Sequence, residues 1–325
     1  MFEIFVGARI DFMGKRKMAY IVSAVLVLAS VVSLVMHGGP RESIDFTGGT
    51  LLDVGFSQPV DVADVRSAAE RAGITGAEIQ MVEGGREAIL RIGTDQSPDN
   101  AFIALRTQMD ADGSGVDVEL RRTETVGPKV GDELEQKAAM AVLWSLMLIL
   151  IYIAWRFTRF SFGFAAVIAL FHDILITLGL FSILNIEVSL TVVAAFLTIG
   201  GYSINDTIVL FDRIRENRGQ LKRKSFSEVV NMSVNQTLSR TVLTSLTTLA
   251  AVCSLFFLGG IVIHDFALAM IVGVVIGTYS SIFVASSLAV DMNSWWMKRK
   301  EAKEKAKSVK SASSRKKPKT APAAS

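Results

Sequence analysis

Asp206 is the residue with the clearest chemical potential. It follows Gly200-Gly201-Tyr202-Ser203-Ile204-Asn205 and precedes Thr207, after which Ile208–Phe211 return to apolar character. Counting about 1.5 Å per residue back from Arg213, it should lie roughly 10 Å inside the membrane boundary. An ionisable group at the bilayer centre costs at least about 2.5–3.5 kcal/mol, so its presence asks for a chemical reason. The reason a carboxylate can supply is uptake and release of a proton. The bland alternative is internal glue, with Gly200 and Gly201 allowing close helix approach and Ser203 and Thr207 hydrogen-bonding to neighbours.

Arg240 is the natural partner. It stands at the head of the apolar run Thr241–Ile263, with Thr244, Thr247 and Thr248 one and two turns further on. That face offers hydroxyls beginning at a fixed cation; otherwise Arg240 is a boundary arginine snorkelling to headgroups. His172 and Asp173 interrupt another apolar stretch, pointing about 100° apart on a helix. Asp173 either faces the bundle interior as part of the same relay or hydrogen-bonds a helix terminus. Asp212, Arg213, Arg215 and Glu216 form a charged cluster that also reads as a solvated helix end. An Asp–Arg pair holds two helices together while the acid is charged, and protonation loosens it. A proton falling through 100 mV releases about 2.3 kcal/mol for such movement.

The elements that hold these residues are apolar. Half of the 325 residues are hydrophobic, and mean hydropathy is +0.42. Met18–Met36 carries no charge, and Ala138–Trp155, Phe162–Ile186, Val188–Ile204, Thr241–Ile263 and Phe266–Val290 are similarly apolar, the third stretch interrupted only by His172 and Asp173. A helix needs about 20 such residues to cross the hydrocarbon, so six transmembrane helices are expected. The first is read as an uncleaved anchor, because its apolar run exceeds a signal core and ends in Met36-His37-Gly38-Gly39.

Charge sets the expected topology. Arg9, Lys15, Arg16 and Lys17 precede the first span, Arg156 and Arg159 follow the second, and Arg213, Arg215, Arg218, Lys222, Arg223 and Lys224 follow the fourth. The short connections 185–188 and 259–265 contain no Lys or Arg. Basic loops stay inside, so both termini should be cytoplasmic. The divisions expected are residues 1–17 as a cytoplasmic N-terminus, 18–36 as the first span, 37–137 as an extracytoplasmic domain, 138–290 as spans two to six, and 291–325 as a basic cytoplasmic tail. That tail, with 11 Lys/Arg and two acids from Lys298 on, is expected to lack fixed structure and to suit an anionic surface such as lipid or the ribosome.

Residues 37–137 are acidic, with 19 Asp/Glu against 10 Lys/Arg. Ile44–Phe56 reads as a strand with Gly48–Gly49 as a bulge, 61–72 as a helix, 77–82 and 88–92 as a hairpin across Gly84–Gly85, and Pro98 opens a second helix after Ser97. Val116–Val126 alternates as a last strand. The order βαββαβ predicts an α+β, ferredoxin-like domain. It holds no His or Cys cluster, nucleophile–base pair or phosphate loop, so no enzyme is expected, and no cofactor or metal beyond protons as a coupling ion. The single cysteine, Cys253, excludes a disulfide framework within the chain.

Three stretches carry a family resemblance: Ile44-Asp45-Phe46-Thr47-Gly48-Gly49-Thr50, Val126-Gly127-Pro128-Lys129-Val130-Gly131, and Gly201-Tyr202-Ser203-Ile204-Asn205-Asp206-Thr207 running on to Phe211-Asp212-Arg213-Ile214-Arg215-Glu216-Asn217. The sequence resembles, over about residues 5–297, the SecF family, the smaller membrane subunits of the SecD–SecF component of bacterial protein export, related to RND-type transporters. Ser43 stands where that family usually has glycine. The resemblance implies pairing with SecD in a pseudo-symmetric bundle. It also implies proton-motive-force-dependent assistance to preproteins at the SecYEG channel of the inner membrane, with lipid around it and no nucleic-acid partner. It assigns the proton path to Asp206 and Arg240, with Asp173 matching a motif of less defined role; Asn205, Thr207, Thr244, Thr247 and Thr248 support them. Two other readings compete: a scaffold that only stabilises SecD or the channel, and a small-molecule RND-type exporter.

Overall fold

The computed structural model describes residues 9–93, 97–111, 115–157, 160–221 and 223–315. Arg159 and Lys222, used above for topology, and residues 316–325 of the tail lie outside the described residues. Six helical segments among the described residues are long and apolar enough to cross a membrane. They are α1 (Arg16–Met36), α5 (Pro128–Arg156), α6 (Phe160–Ile183), α7 (Leu190–Gln220), α8 (Phe226–Leu258) and a continuous last segment. That last segment joins α9 (Ile261–Tyr279) through a π-helical turn, Ser280–Ala285, to α10 (Ser286–Arg315). The tail expected to lack fixed structure therefore continues α10 as far as Arg315.

The helices overrun their apolar cores. α7 has 31 residues and α8 has 33, about 46 and 50 Å, against about 30 Å of hydrocarbon. The polar residues 213–220, expected as loop, instead extend α7. α8 begins at Phe226 because Ser225 and Glu228 form a reciprocal capping box, Ser225 accepting from the Glu228 amide while the Glu228 carboxylate accepts from the Ser225 amide. Arg240 therefore lies fourteen residues inside α8 rather than at its head, a correction with direct bearing on the site. α6, α7 and the last segment pack most deeply, and their small residues Ala165, Ala166, Ala169, Ala285 and Ala289 are at most 2% exposed. The apolar run of α5 is largely exposed, and α1 and α8 keep broad exposed faces.

Between α1 and α5 lies a separate domain. Its elements are α2 (Ile44–Thr47), β1 (Gly49–Phe56), α3 (Val62–Arg71), β2 (Glu78–Val82), β3 (Glu87–Ile92), α4 (Pro98–Ala111) and β4 (Val118–Val126). The four strands form one antiparallel sheet in the order β2-β3-β1-β4. Alternation along β1 and β3 sends Leu52, Val54, Phe56, Ala88, Leu90 and Ile92 to one face. There they meet Val65, Ala68 and Ala69 of α3 and Ala101, Leu105 and Met109 of α4 in one core.

The domain departs from expectation in two places. Ile44–Thr47 is a helical turn, not the start of a strand. Ser43 caps it by accepting from the Asp45 amide, and Gly48 ends it at φ +69°. The bulge expected at Gly48–Gly49 falls elsewhere: the β1–β4 register shifts between Asp53 and Val54, leaving Arg121 as the extra residue.

Candidate functional site

α6, α7 and the π-helical turn bring two acids into the bundle interior. Asp173 on α6 is fully buried, and Asp206 on α7 is 5% exposed. Ser203 Oγ and Ser280 Oγ both donate to Asp173 Oδ2, at 2.5 and 2.7 Å. Its other oxygen lies 2.9 Å from His172 Nδ1. Adjacent on the helix, His172 and Asp173 nevertheless bond each other while addressing different neighbours. His172 Nε2 meets Ser23 Oγ of α1 at 3.1 Å, Ser23 Oγ lies 3.1 Å from the Tyr279 hydroxyl, and that hydroxyl donates to the Ala19 carbonyl. A hydrogen-bonded chain thus runs from Asp173 through His172 and Ser23 to Tyr279, tying α6 to α1 and α9. Asp173 faces the interior, and the helix-terminus alternative is excluded.

Two successive serines of the π-helical turn reach different helices, as adjacent residues about 100° apart on a helix do. Ser280 donates to Asp173, while Ser281 Oγ lies 2.9 Å from Thr207 Oγ1 of α7. One extra residue in the turn rotates the helix beyond it and leaves backbone irregularity of a kind frequent at functional sites.

Asp206 is different. Its Oδ2 is buried without a hydrogen-bond partner among the described residues. Arg240 is the cation whose field reaches it, yet no ion pair joins the two among the described residues, so the expected closed Asp–Arg pair is not formed. The Arg240 residue is exposed on the open face of α8. Beyond it, Thr244 donates to the Arg240 and Thr241 carbonyls, and Thr247 to those of Leu243 and Thr244. Such back-bonding satisfies each hydroxyl within its own helix. Thr248 is half-buried, Asn205 is exposed, and Thr207 alone among the supporting residues joins the interior network.

The cluster after Asp206 ties helix ends together. Asp212 pairs with Arg156 at the end of α5 and lies 3.9 Å from Arg215, and Arg213 pairs with Glu216 at 3.0 Å. Sequence reasoning missed Ser23, Ser280, Ser281 and Tyr279. Their only signal was hydroxyl groups inside apolar stretches, which is common in membrane helices and points to no particular partner.

Comparison with known proteins identifies the family. The family described as protein export membrane protein SecD/SecF, C-terminal, matches residues 107–295, and the SecD/SecF GG motif matches residues 35–60. Protein translocase subunit SecF of Vibrio alginolyticus is 45% identical over 296 residues, covering 90% of this chain and 93% of that protein. The Haemophilus influenzae SecF is 42% identical over 87% of this chain and 86% of its own length. Among solved structures, that of SecDF, a translocon-associated membrane protein from Thermus thermophilus, superposes with a TM-score of 0.79 at 42% identity over 89% of this chain. A structure of SecDF in a super-membrane-facing form gives a TM-score of 0.65 at 43% identity over 93% of the chain. The chain spans only 39–40% of those fused proteins' length. The small-molecule exporter reading gives way to protein export. With its motifs, its six spans and its length all matched, the chain belongs to the SecF family of protein-export membrane translocase subunits.

Proposed function

We propose that this chain is a proton-motive-force-coupled accessory subunit of the Sec translocase, working beside SecD at the SecYEG channel to assist preproteins across the inner membrane. The observation that carries the reading is Asp206: a buried carboxylate with an unpartnered oxygen, reached by the field of Arg240 but not locked to it. A carboxylate already closed into an ion pair must break that pair to change state, whereas an open one can gain or lose a proton with less rearrangement. Protons are then the coupling ion, and no other cofactor is required. In this reading both termini are cytoplasmic and residues 37–137 are periplasmic. Their strand order β2-β3-β1-β4 with two helices on one face supports the ferredoxin-like assignment.

SecD is the partner that best fits the open faces. α1, α5 and α8 leave Met18, Val25, Leu143, Trp144, Ile151 and Leu246 exposed, surfaces suited to lipid or to a second helix bundle. The fused SecDF relatives support one such bundle as neighbour.

The test uses the complex with SecD in vesicles holding the channel and its motor, with and without a proton gradient. Asp206→Asn should assemble normally and lose the gradient-dependent part of export, because the amide cannot exchange a proton. Full stimulation by that variant would favour the scaffold reading.

A further inference from the structure

The Ile44–Thr47 turn is singled out by the sequence yet lies far from both buried acids. It makes three separate attachments. The Asp45 carboxylate accepts the Leu190 amide of α7 through Oδ2 at 2.9 Å. Phe46, 8% exposed, is buried with Phe181 of α6, with Val192 and Ala195 of α7, and with Val188 between those helices. A Cβ on Gly131, in the first turn of α5, would lie 2.6 Å from the Phe46 carbonyl oxygen, so only glycine permits that approach. The chain then turns at Gly48, where φ is +69°, and enters β1, one of the two central strands of the sheet.

The Asp45 contact has a specific physical character. The first amides of a helix lack partners within it, and the partial positive charge there attracts an anion. Ser189 caps the Val192 amide of α7, and Asp45 takes the Leu190 amide from outside the helix. The connection beside it is held as well: Val188 donates to the Arg41 carbonyl at 2.7 Å, and Ser43 donates to the Val188 carbonyl at 3.1 Å. Glu187 of the same connection pairs with Arg91 of β3 at 2.6 Å and with Arg41 at 3.1 Å. The sheet is therefore fastened to the head of α7 at β1 through Asp45 and at β3 through Arg91. The same helix carries Asp206 sixteen residues, about 24 Å, further down.

We propose that the Ile44–Thr47 turn is the mechanical coupler of this molecule, with Asp45 as the positioning residue that transmits displacement of α7 to the sheet domain. The proposal rests on the proton-coupled reading above and adds the route by which movement leaves the membrane. A tilt or rotation of α7 moves the Leu190 amide, and with it the carboxylate, Phe46 and the first residue of β1. The link is short: Asp45 and Gly49 are only four residues apart, with a helical turn as far as Thr47 and the single residue Gly48 between it and β1.

The test compares Asp45→Ala and Asp45→Asn with the wild-type chain and with Asp206→Asn, each in the assembled complex with SecD in vesicles. Export and gradient-driven proton entry are read separately, alongside hydrogen exchange at the Leu190 amide. Asp45→Ala should raise exchange at Leu190 about fivefold, the factor expected for loss of one helix cap. It should also lose most gradient-dependent export while proton entry continues. Asp45→Asn, whose amide oxygen can still accept, should recover much of that export. Unimpaired export in Asp45→Ala, with Asp206→Asn inactive, would overturn the coupler and leave the proton reading standing. Loss of proton entry together with export in both Asp45 variants would also overturn it, showing that the turn merely supports the bundle. Active Asp206→Asn would instead remove the proton reading on which the coupler rests.

Discussion

Asp173 and Asp206 are both acids buried among the same helices, but they are held in opposite ways. Asp173 is surrounded by donors from its own helix, from α7 and from the π-helical turn. Asp206, one turn below Ser203 on the buried face of α7, keeps an oxygen with no donor among the described residues. The contrast separates two uses of a costly group. A carboxylate satisfied by three donors fixes the arrangement of the helices that supply them, whereas one left open can respond to a change of charge without undoing the packing. Chemical type and burial are shared; the number of partners differs.

The sharpest way to break this comparison is to truncate each acid in turn. Asp173→Ala removes the acceptor of Ser203 and the partner of His172 Nδ1, and leaves Ser280 only the Gly277 carbonyl. Interhelical hydrogen bonds in membranes average about 0.6 kcal/mol, so losing the two from Ser203 and Ser280 should cost about 1.2 kcal/mol, with the bond to His172 lost in addition. Asp206→Ala removes no hydrogen bond of Oδ2 and should change stability by less than about 0.5 kcal/mol. Unfolding of the assembled complex in detergent measures both. Equal losses would show that Asp206 is bonded as fully as Asp173, and the distinction would fail.

A milder substitution sharpens the same point. Asp173→Asn keeps one oxygen to accept from Ser203 or Ser280, so it should cost less than about 1 kcal/mol and preserve most export. If export instead falls as far as in Asp206→Asn, Asp173 carries protons too, and the saturated acid belongs to the relay. Arg240 is tested by the pair Arg240→Met and Arg240→Lys. Methionine removes the charge that reaches Asp206 while lysine retains it, so Arg240→Met should lose more gradient-dependent export. Full activity in both variants would return Arg240 to a residue that merely reaches toward the headgroups.

Much of this was legible before the structure. The six spans follow from long apolar runs, only the third of them broken, by His172 and Asp173, and the sheet domain's element order from alternation and turn residues. Asp206 stands out because an acid in an apolar stretch is rare. Other features were hidden for identifiable reasons. Arg240 was misplaced because hydropathy marks where lipid contact begins, whereas the Ser225–Glu228 capping box sets where the helix begins. The Ile44–Thr47 helix was read as a strand because Ile, Phe and Thr favour strands; Ser43 and Gly48 override that preference locally. The hydroxyl partners of Asp173, Ser203 and Ser280, lie 30 and 107 residues away, and no local pattern could have joined them to it.

The smallest expected effect concerns a third acid, at the sheet-to-bundle junction and outside the spanning segments. Burial pushes the Glu187 carboxyl up from the ordinary glutamate value of 4.5, against the lowering pull of Arg91 and Arg41, while Glu78 and Asp265 add to the rise. The same burial lowers the Arg91 guanidinium. A carboxyl raised in the docked junction holds its proton more tightly there than after the junction opens. The docked state therefore gains as pH falls through the Glu187 value, and that gain is lost as pH rises past it. Unlike Asp206, whose charge is proposed to drive movement, Glu187 would only bias how firmly the sheet is seated. Thermal unfolding of the complex between about pH 5 and 8 should show this slope, and Glu187→Gln, which is neutral throughout, should flatten it. An unchanged slope in the glutamine variant would mean that the two arginines outweigh burial. The junction would then be held by a permanently charged pair, and its pH dependence would have to come from elsewhere in the molecule.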